Sequence, residues 1–290
     1  MGLMFRKEPV RVGDRVVVRS DTEVIGVVTS LDPLTLNGDI VIPKYQVMKK
    51  LSPKTVMNRD IRAIEQATAK AFPGAHQEWT SDGQWLMRAG DGIAERSNSA
   101  APLGPSARFV PIPWDEINEF YRRHNLPTTL LIPERIAPNP NVPMGPEIIV
   151  MTRNLENLPE QAEGFELLEK PDQQWLDLYH FRGQPLPADA LELRPIDGEM
   201  GFGRLVRDGQ TVAVTRGTIT DGYLGYSAVE VAEKYRRQGL GTALGVEMLR
   251  WARQKGAHTA YLQVIADNVA GIGLYHKLGF VEHHRHRYTR

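Results

Sequence analysis

Two glycines two residues apart, preceded by a run of cations, stand where a strand pattern gives way to a helix pattern in SAVEVAEKYRRQGLGTALGVEMLRWARQKG. The β-run ends near Ala232; Arg236, Arg237, Gln238, Gly239, Leu240 and Gly241 follow, and a helix opens at Thr242. Leu244, Met248, Trp251 and Ala252 form its apolar stripe and Gly256 its stop. The first N–H groups of a helix have no carbonyl of the helix to donate to, and the helix dipole adds partial positive charge there. Glycine at 239 and 241 removes the Cβ atoms that would hold an anion off the main chain, so the turn can cradle a diphosphate. The alternative is an ordinary strand–turn–helix whose glycines serve only the turn. A Rossmann site wants G-x-G-x-x-G straight after the strand. Here six residues separate Ala232 from Gly239, and Leu244 holds the third-glycine position. No G-x-x-x-x-G-K-[ST] occurs, which excludes a P-loop.

A second pattern follows in order: YLQVIADNVAGIGLYHKLGF reads as a strand, an Asn, a helix carrying Leu-Tyr, then Lys-Leu-Gly-Phe. Together the two stretches resemble the GNAT superfamily, whose motif A is Arg/Gln-x-x-Gly-x-Gly/Ala after a strand. The resemblance implies acetyl-CoA as co-substrate, with its diphosphate on the main chain of Arg236, Arg237, Gln238, Gly239, Leu240, Gly241 and Thr242. It implies that the sheet splays after the fourth strand of that fold and that pantetheine pairs with the main chain of Val229-Glu230-Val231. It gives Asn268 a hydrogen bond to the cofactor; an N-cap for the helix from Val269 explains the same residue. Tyr275, seven residues on and on the same helix face, becomes the general acid for the departing thiolate. Gly271 and Gly273 replace the alanines usual in that helix, at about 1 kcal/mol each.

The chain has no cysteine, so no cysteine acyl-enzyme can form. The simplest mechanism is then direct attack of an amine on the thioester. Glu230 is the nearest candidate base, acting through water; its alternative is a structural glutamate. In the tail EHHRHRYTR, His283, His284 and His286 admit a metal reading or a terminal strand with polar residues facing solvent. Nothing else offers a ligand set, and no metal is expected.

The elements that must position these groups follow from periodicity. In VRVGDRVVVRS, Val10, Val12, Val16 and Val18 follow a strand alternation about a Gly13-Asp14 turn, VIGVVTSL is a second apolar run, and Asn37-Gly38 between LTL and DIVI signals a two-residue hairpin. Residues 1–54 therefore read as a small SH3-like β-barrel, with an N-terminal β extension as the alternative. Ile61, Ile64, Ala67, Ala71 and Phe72 recur at helical spacing until Pro73-Gly74. A hairpin with turns at Asp82-Gly83 and Asp91-Gly92, a helix over WDEINEFYRRHN and a strand at TTLLI complete residues 55–145. Prolines 133, 138, 140, 143 and 146 punctuate the boundary. Residues 146–290 read as strand EIIVM, helix PDQQWLDLYHF, a second helix-like stretch to about residue 207, then strands QTVAVTRGTI and YLGYSAVEVA before the two motif helices. That is a mixed α/β (α+β) fold, with a catalytic GNAT domain at 146–290.

The layout as a whole resembles the actinobacterial SH3-fused GNAT family described as N-acetylglutamate synthases. In that comparison residues 55–145 look like a degenerate GNAT-like half lacking the Arg-x-x-Gly-x-Gly loop. The implied acceptor is the α-amine of L-glutamate, at the start of arginine synthesis. Its carboxylates would need arginine partners, for which Arg96 and Arg216 are the candidates. Acetylation of another small amine or of a protein lysine is a second reading, and a non-catalytic acetyl-CoA sensor or adaptor a third.

Composition bounds these readings. Lysine plus arginine equals aspartate plus glutamate at 35 each, so the chain lacks the basic field that drives nucleic-acid or anionic-membrane binding. No apolar run approaches a membrane span, and MGLMFRKEPVRVGD carries no leader h-region, so a soluble cytoplasmic protein with a small-molecule amine substrate is expected.

Overall fold

A computed structural model describes residues 10–50, 56–158, 163–181, 184–185 and 196–290. The alternating valines fold as expected into strands β1 (Arg15–Arg19) and β2 (Glu23–Leu31), followed by β3 (Leu34–Leu36), β4 (Ile40–Val41) and β5 (Val47–Lys50). They form one antiparallel sheet in the order β4-β3-β2-β1-β5, over a core of Val16, Val18, Val28, Leu34, Leu36 and Ile42. Among the described residues this is a sheet with β4 and β5 at its edges, not a closed barrel. Val10 and Val12 precede β1 rather than adding a strand. The β3–β4 turn holds three residues, since Leu36 pairs with Ile40; Asn37 (φ 55°) and Gly38 (φ 90°) supply its left-handed positions. The Asn37 side chain also accepts the Val27 N–H at 2.9 Å, which ties the turn to β2.

The helical spacing from Asn58 becomes α1 (Asn58–Ala71), with Ile61, Ile64, Ala67 and Ala71 buried. The hairpin is β6 (His76–Trp79) with β7 (Leu86–Ala89), and α2 (Trp114–Arg123) and β8 (Leu131–Pro133) follow as the pattern predicts. Trp85, Met87, Ile117, Phe120, Tyr121 and Leu130 form the core of this segment.

The rest of the chain gives β9 (Ile148–Asn154), β10 (Phe165–Leu168), α3 (Gln173–Leu178) and a short hairpin of β11 (His180–Phe181) and β12 (Gln184–Pro185). After these come β13 (Glu199–Arg207), β14 (Gln210–Thr220), β15 (Tyr223–Val231), α4 (Leu240–Gln254), β16 (Thr259–Ile265), α5 (Val269–Lys277) and β17 (Val281–Tyr288). The helix expected up to residue 207 is thus corrected over its described part: residues 199–207 are strand β13, paired along its length with β14. Its glycines and β-hairpin partner favour an extended chain over a helix.

Eight strands make one mixed sheet in the order β10-β13-β14-β15-β16-β9-β17-β8. Helix α4 covers one face, with Met248, Leu249 and Trp251 packed on Ile149, Met151, Tyr226 and Leu262. Helix α1 covers the other, where Ile64 and Ala67 meet Val150 and Tyr261, and α3 extends it with Trp175 on Phe202 and Val214. No helix among the described residues is long and apolar enough to cross a membrane.

One polar cross-link fastens α1 to β17. His284 Nε2 and His286 Nδ1 both donate to Glu65 Oε1, at 2.8 and 2.7 Å, and all three side chains are fully buried. The alternation that was expected to turn the tail histidines to solvent turns these two inward instead, because α1 lies over that face of β17. Their nitrogen and oxygen atoms fall within 4.8 Å of one another, as a metal ligand set would, yet the carboxylate oxygen already stands at hydrogen-bond distance from both rings. Burial pushes the Glu65 carboxyl up, but His286 and His284 outweigh it and hold the group well below the usual carboxylate range. A carboxylate depressed in the fold stabilises it above its unfolded pKa of about 4.3, and that contribution is lost as pH falls through the lower, folded value. Glu65→Ala should therefore cost about 3–5 kcal/mol in urea unfolding at neutral pH. The gap between variant and parent should narrow progressively below about pH 4.

Candidate active site

The site is built on a strand that loses its neighbour. Strand β15 pairs in parallel with β16 only at Tyr223–Thr259, Leu224–Ala260 and Gly225–Tyr261. It then runs on to Val231 beside β14 alone, so from Tyr226 onward its other edge faces no strand. A bulge drives the departure: the β14–β15 register slips between Val214 and Arg216, and Ala228 sits at φ 54°. Val229, Glu230 and Val231 lie on this unpaired stretch.

Beyond it, the chain turns through residues 232–239 into α4. Gly239 is the N-cap at φ 79°, a conformation that favours glycine, and no side chain caps the helix. The first helical bond there runs from Ala243 N–H to Gly239 O, so the N–H groups of Leu240, Gly241 and Thr242 precede any helical acceptor. A Cβ at Gly239 would meet nothing, which leaves its main chain open to an incoming group. Gly241 has a packing role as well: a Cβ there would stand 3.2 Å from Leu274, so this glycine lets α4 approach α5.

The cations of the loop are partly engaged. Arg236 donates to the Val231 carbonyl at 3.0 Å and to the Glu230 carboxylate at 3.0 Å, fixing the loop to the end of β15. Gln238 accepts from Arg207 and donates to the Lys234 carbonyl. Arg237, at φ 62°, carries an exposed side chain. Glu230, the candidate base, is thus held by Arg236 with its side chain 28 % exposed.

Helix α5 begins where Asn268 Oδ1 accepts the Gly271 N–H at 2.9 Å, so Asn268 is the N-cap. Gly271 makes that cap possible, since a Cβ on it would lie 2.7 Å from Asn268 Nδ2. Two turns on, the Tyr275 ring packs edge-on against Tyr226 and Phe280, with centroids 6.3 and 6.2 Å away. Burial, and secondarily Tyr179, push the Tyr275 hydroxyl up to about 12, so it keeps its proton across the neutral range.

Arg96 and Arg216, far apart in sequence, come together. Their guanidinium carbons lie over the same Phe72 ring, 4.5 and 4.8 Å from its centroid. Tyr179 lies within electrostatic reach of both arginines, of Glu230 and of Tyr275. Phe72 and Tyr179 were not singled out from sequence. Phe72 reads as the last apolar residue of α1, and Tyr179 as one more aromatic at the end of α3. Only the fold shows that they join the arginines to the end of β15.

Residues 58–289 match the family model described as probable histone acetyltransferase Rv0428c, C-terminal. The chain is 35% identical over 281 residues to the probable histone acetyltransferase Rv0428c of Mycobacterium tuberculosis, covering 92% of this chain and 88% of that protein. It is 26% identical over 251 residues to the uncharacterized N-acetyltransferase YobR of Bacillus subtilis, covering 80% of this chain and 99% of the relative. Among solved structures, a GCN5-related N-acetyltransferase from Kribbella flavida superposes with a TM-score of 0.58 at 19% identity, over 78% of this chain and 93% of that one.

The cap of α5 gives a test with a change of sign. Asn268→Ala should cost about 1 kcal/mol in thermal unfolding. Gly271→Ala should destabilise the parent, where it collides with the Asn268 amide. In the Asn268→Ala background the same change should stabilise by about 1 kcal/mol, the ordinary helix preference for alanine.

Proposed function

Because the chain belongs to the GNAT-family N-acetyltransferases, in the family of the Rv0428c C-terminal region, we propose that it transfers the acetyl group of acetyl-CoA directly to an amine bound on the α1 side of the splayed sheet. The observation that carries this reading is the early end of the β15–β16 pairing in front of an uncapped helix N-terminus. The two offer an unpaired strand edge for an amide-bearing chain and free N–H groups for a diphosphate. The residues fit the carrier: Val229 and Val231 present main chain, residues 236–242 present the helix start, and Asn268 orders the neighbouring helix. Acetyl-CoA supplies a thioester whose carbonyl accepts the amine nitrogen as the carbon–sulfur bond breaks. Tyr275 keeps its proton at neutral pH and gives it to the leaving sulfur. The proton lost by the amine passes to water ordered near Glu230, whose carboxylate Arg236 positions.

The acceptor read from the resemblance is L-glutamate, as in N-acetylglutamate synthesis for arginine. A second reading, acetylation of a protein amine, draws on the name of the relative that spans 92% of the chain. A cytoplasmic setting fits either. The proposed division of the chain keeps an SH3-like module at 1–54, a degenerate GNAT-like segment at 55–145 that does not bind acetyl-CoA, and the catalytic domain at 146–290.

Calorimetry with acetyl-CoA should show uptake by the intact chain and none by Gly239→Glu, which places a carboxylate at the helix start. Absence of uptake by the parent would overturn the proposal. Tyr275→Phe should lower turnover by about 10²-fold or more with unchanged acetyl-CoA affinity, measured as thiol release at saturating carrier.

A further inference from the structure

The buried and partly buried arginines among the described residues differ in how far they are satisfied. Arg88 donates to the Phe72 carbonyl and to Ser99 Oγ, leaving only its Nε without a partner. Arg153 donates to the carbonyls of Leu278, Asn154 and Glu156. Arg204 is paired with Glu166 and Asp172. Arg216 is only 2 % exposed, and its Nε and Nη2 are closed off from solvent with no acceptor among the described residues. Its charged neighbour at the Phe72 ring is another cation, Arg96, and neither forms an ion pair with a described carboxylate. Burial, then Arg96, bring the Arg216 guanidinium down to about 9, still cationic at neutral pH.

A buried charged donor without an acceptor costs several kcal/mol, and a like charge beside it adds to the cost. Both cations are kept at one ring, within electrostatic reach of Tyr179, which is in turn within reach of Tyr275 and Glu230, and an anion there would satisfy the donors and offset the repulsion. We propose that Arg216, with Arg96 beside it, binds a carboxylate of the acceptor, so that the substrates are small amines bearing a carboxylate, of the amino-acid type. This rests on the acetyltransferase reading and names its substrate class. The Arg216 fork meets a carboxylate through paired N–H donors, and Phe72 holds both guanidiniums in place. The same two cations repel a lysine ammonium presented by a polypeptide, and the enclosed guanidinium favours a small ligand over a chain.

The test uses the full chain saturated with coenzyme A and glutarate, a carboxylate with no amine, as the calorimetric probe. Glutarate should bind to the parent and bind about 100-fold more weakly to Arg216→Met, with Arg96→Gln intermediate. Coenzyme A binding, retained in each variant, reports that the fold is intact. In thiol-release assays with acetyl-CoA, glycine and L-glutamate should outrun glycinamide and Nα-acetyl-lysine amide by at least about tenfold, and Arg216→Met should raise KM for the former pair more than it lowers kcat. Equal use of glycinamide and glycine, or glutarate binding that ignores Arg216→Met, overturns the carboxylate site. Arg216-dependent glutarate binding without thiol release from any amine would uphold the site and sink the transferase reading instead.

Discussion

The hydrogen-bond ladder between β15 and β16 ends after three residue pairs, and everything else at the site depends on where it ends. Had it continued, the main chain of residues 226–231 would be paired and closed. The bulge at Ala228 prevents that: it costs a left-handed non-glycine residue and turns the end of β15 toward β14 alone. The fold tolerates an open strand edge in its centre because helices seal both faces. Helix α4 starts just past the end of β15, so the unpaired edge and the uncapped helix N-terminus are neighbours by construction.

The remaining strands keep the gap from spreading. On the far side, β16 is held by β9 along its whole length, and β9 in turn by β17. A strand from before the two motifs is therefore enclosed between β16, which opens the second motif, and β17, which follows it, and β8 extends the same sheet beyond β17. The Glu65–His284–His286 cross-link clamps α1 to this half. Buried polar triads of this kind are specific in direction, since each donor must meet its acceptor, and this one fixes how α1 crosses the sheet toward Phe72.

Much of this was legible in the sequence because the deciding signals were local. The strand-to-helix switch at 232–242, the Asn268 cap and the stop of α1 at Pro73-Gly74 each depend on residues within one or two turns. What escaped local reading depended on partners distant in the chain. The residues of β13 read as helix in isolation because their apolar positions and glycines gain meaning only against β14. His284 and His286 read as surface because nothing nearby reveals that α1 covers them. That Gly241 also makes room for Leu274 of α5 depends on a residue 33 positions away, which local reading does not reveal. The sequence could nominate Arg96 and Arg216, but only by what a substrate would require; the ring that gathers them lies at the end of α1.

The alternation of strand β14 finally sets what each face of the sheet carries at this point. Gly217 turns its missing side chain toward Met248 and Trp251, giving α4 the room to pack closely on its face. Arg216, one residue earlier, necessarily faces the opposite layer, where Phe72 at the end of α1 and Arg96 on the turn Glu95–Ser97 lie. Tyr275 belongs to the core under α4, while Tyr179 belongs to the layer of α3, and the two are within electrostatic reach of each other. That coupling runs across the sheet beside the point where the ladder has opened. On the proposed reading the opening therefore has two uses: the edge it frees would take the carrier, and the break in the ladder would let an amine held on the arginine side meet a thioester held on the other.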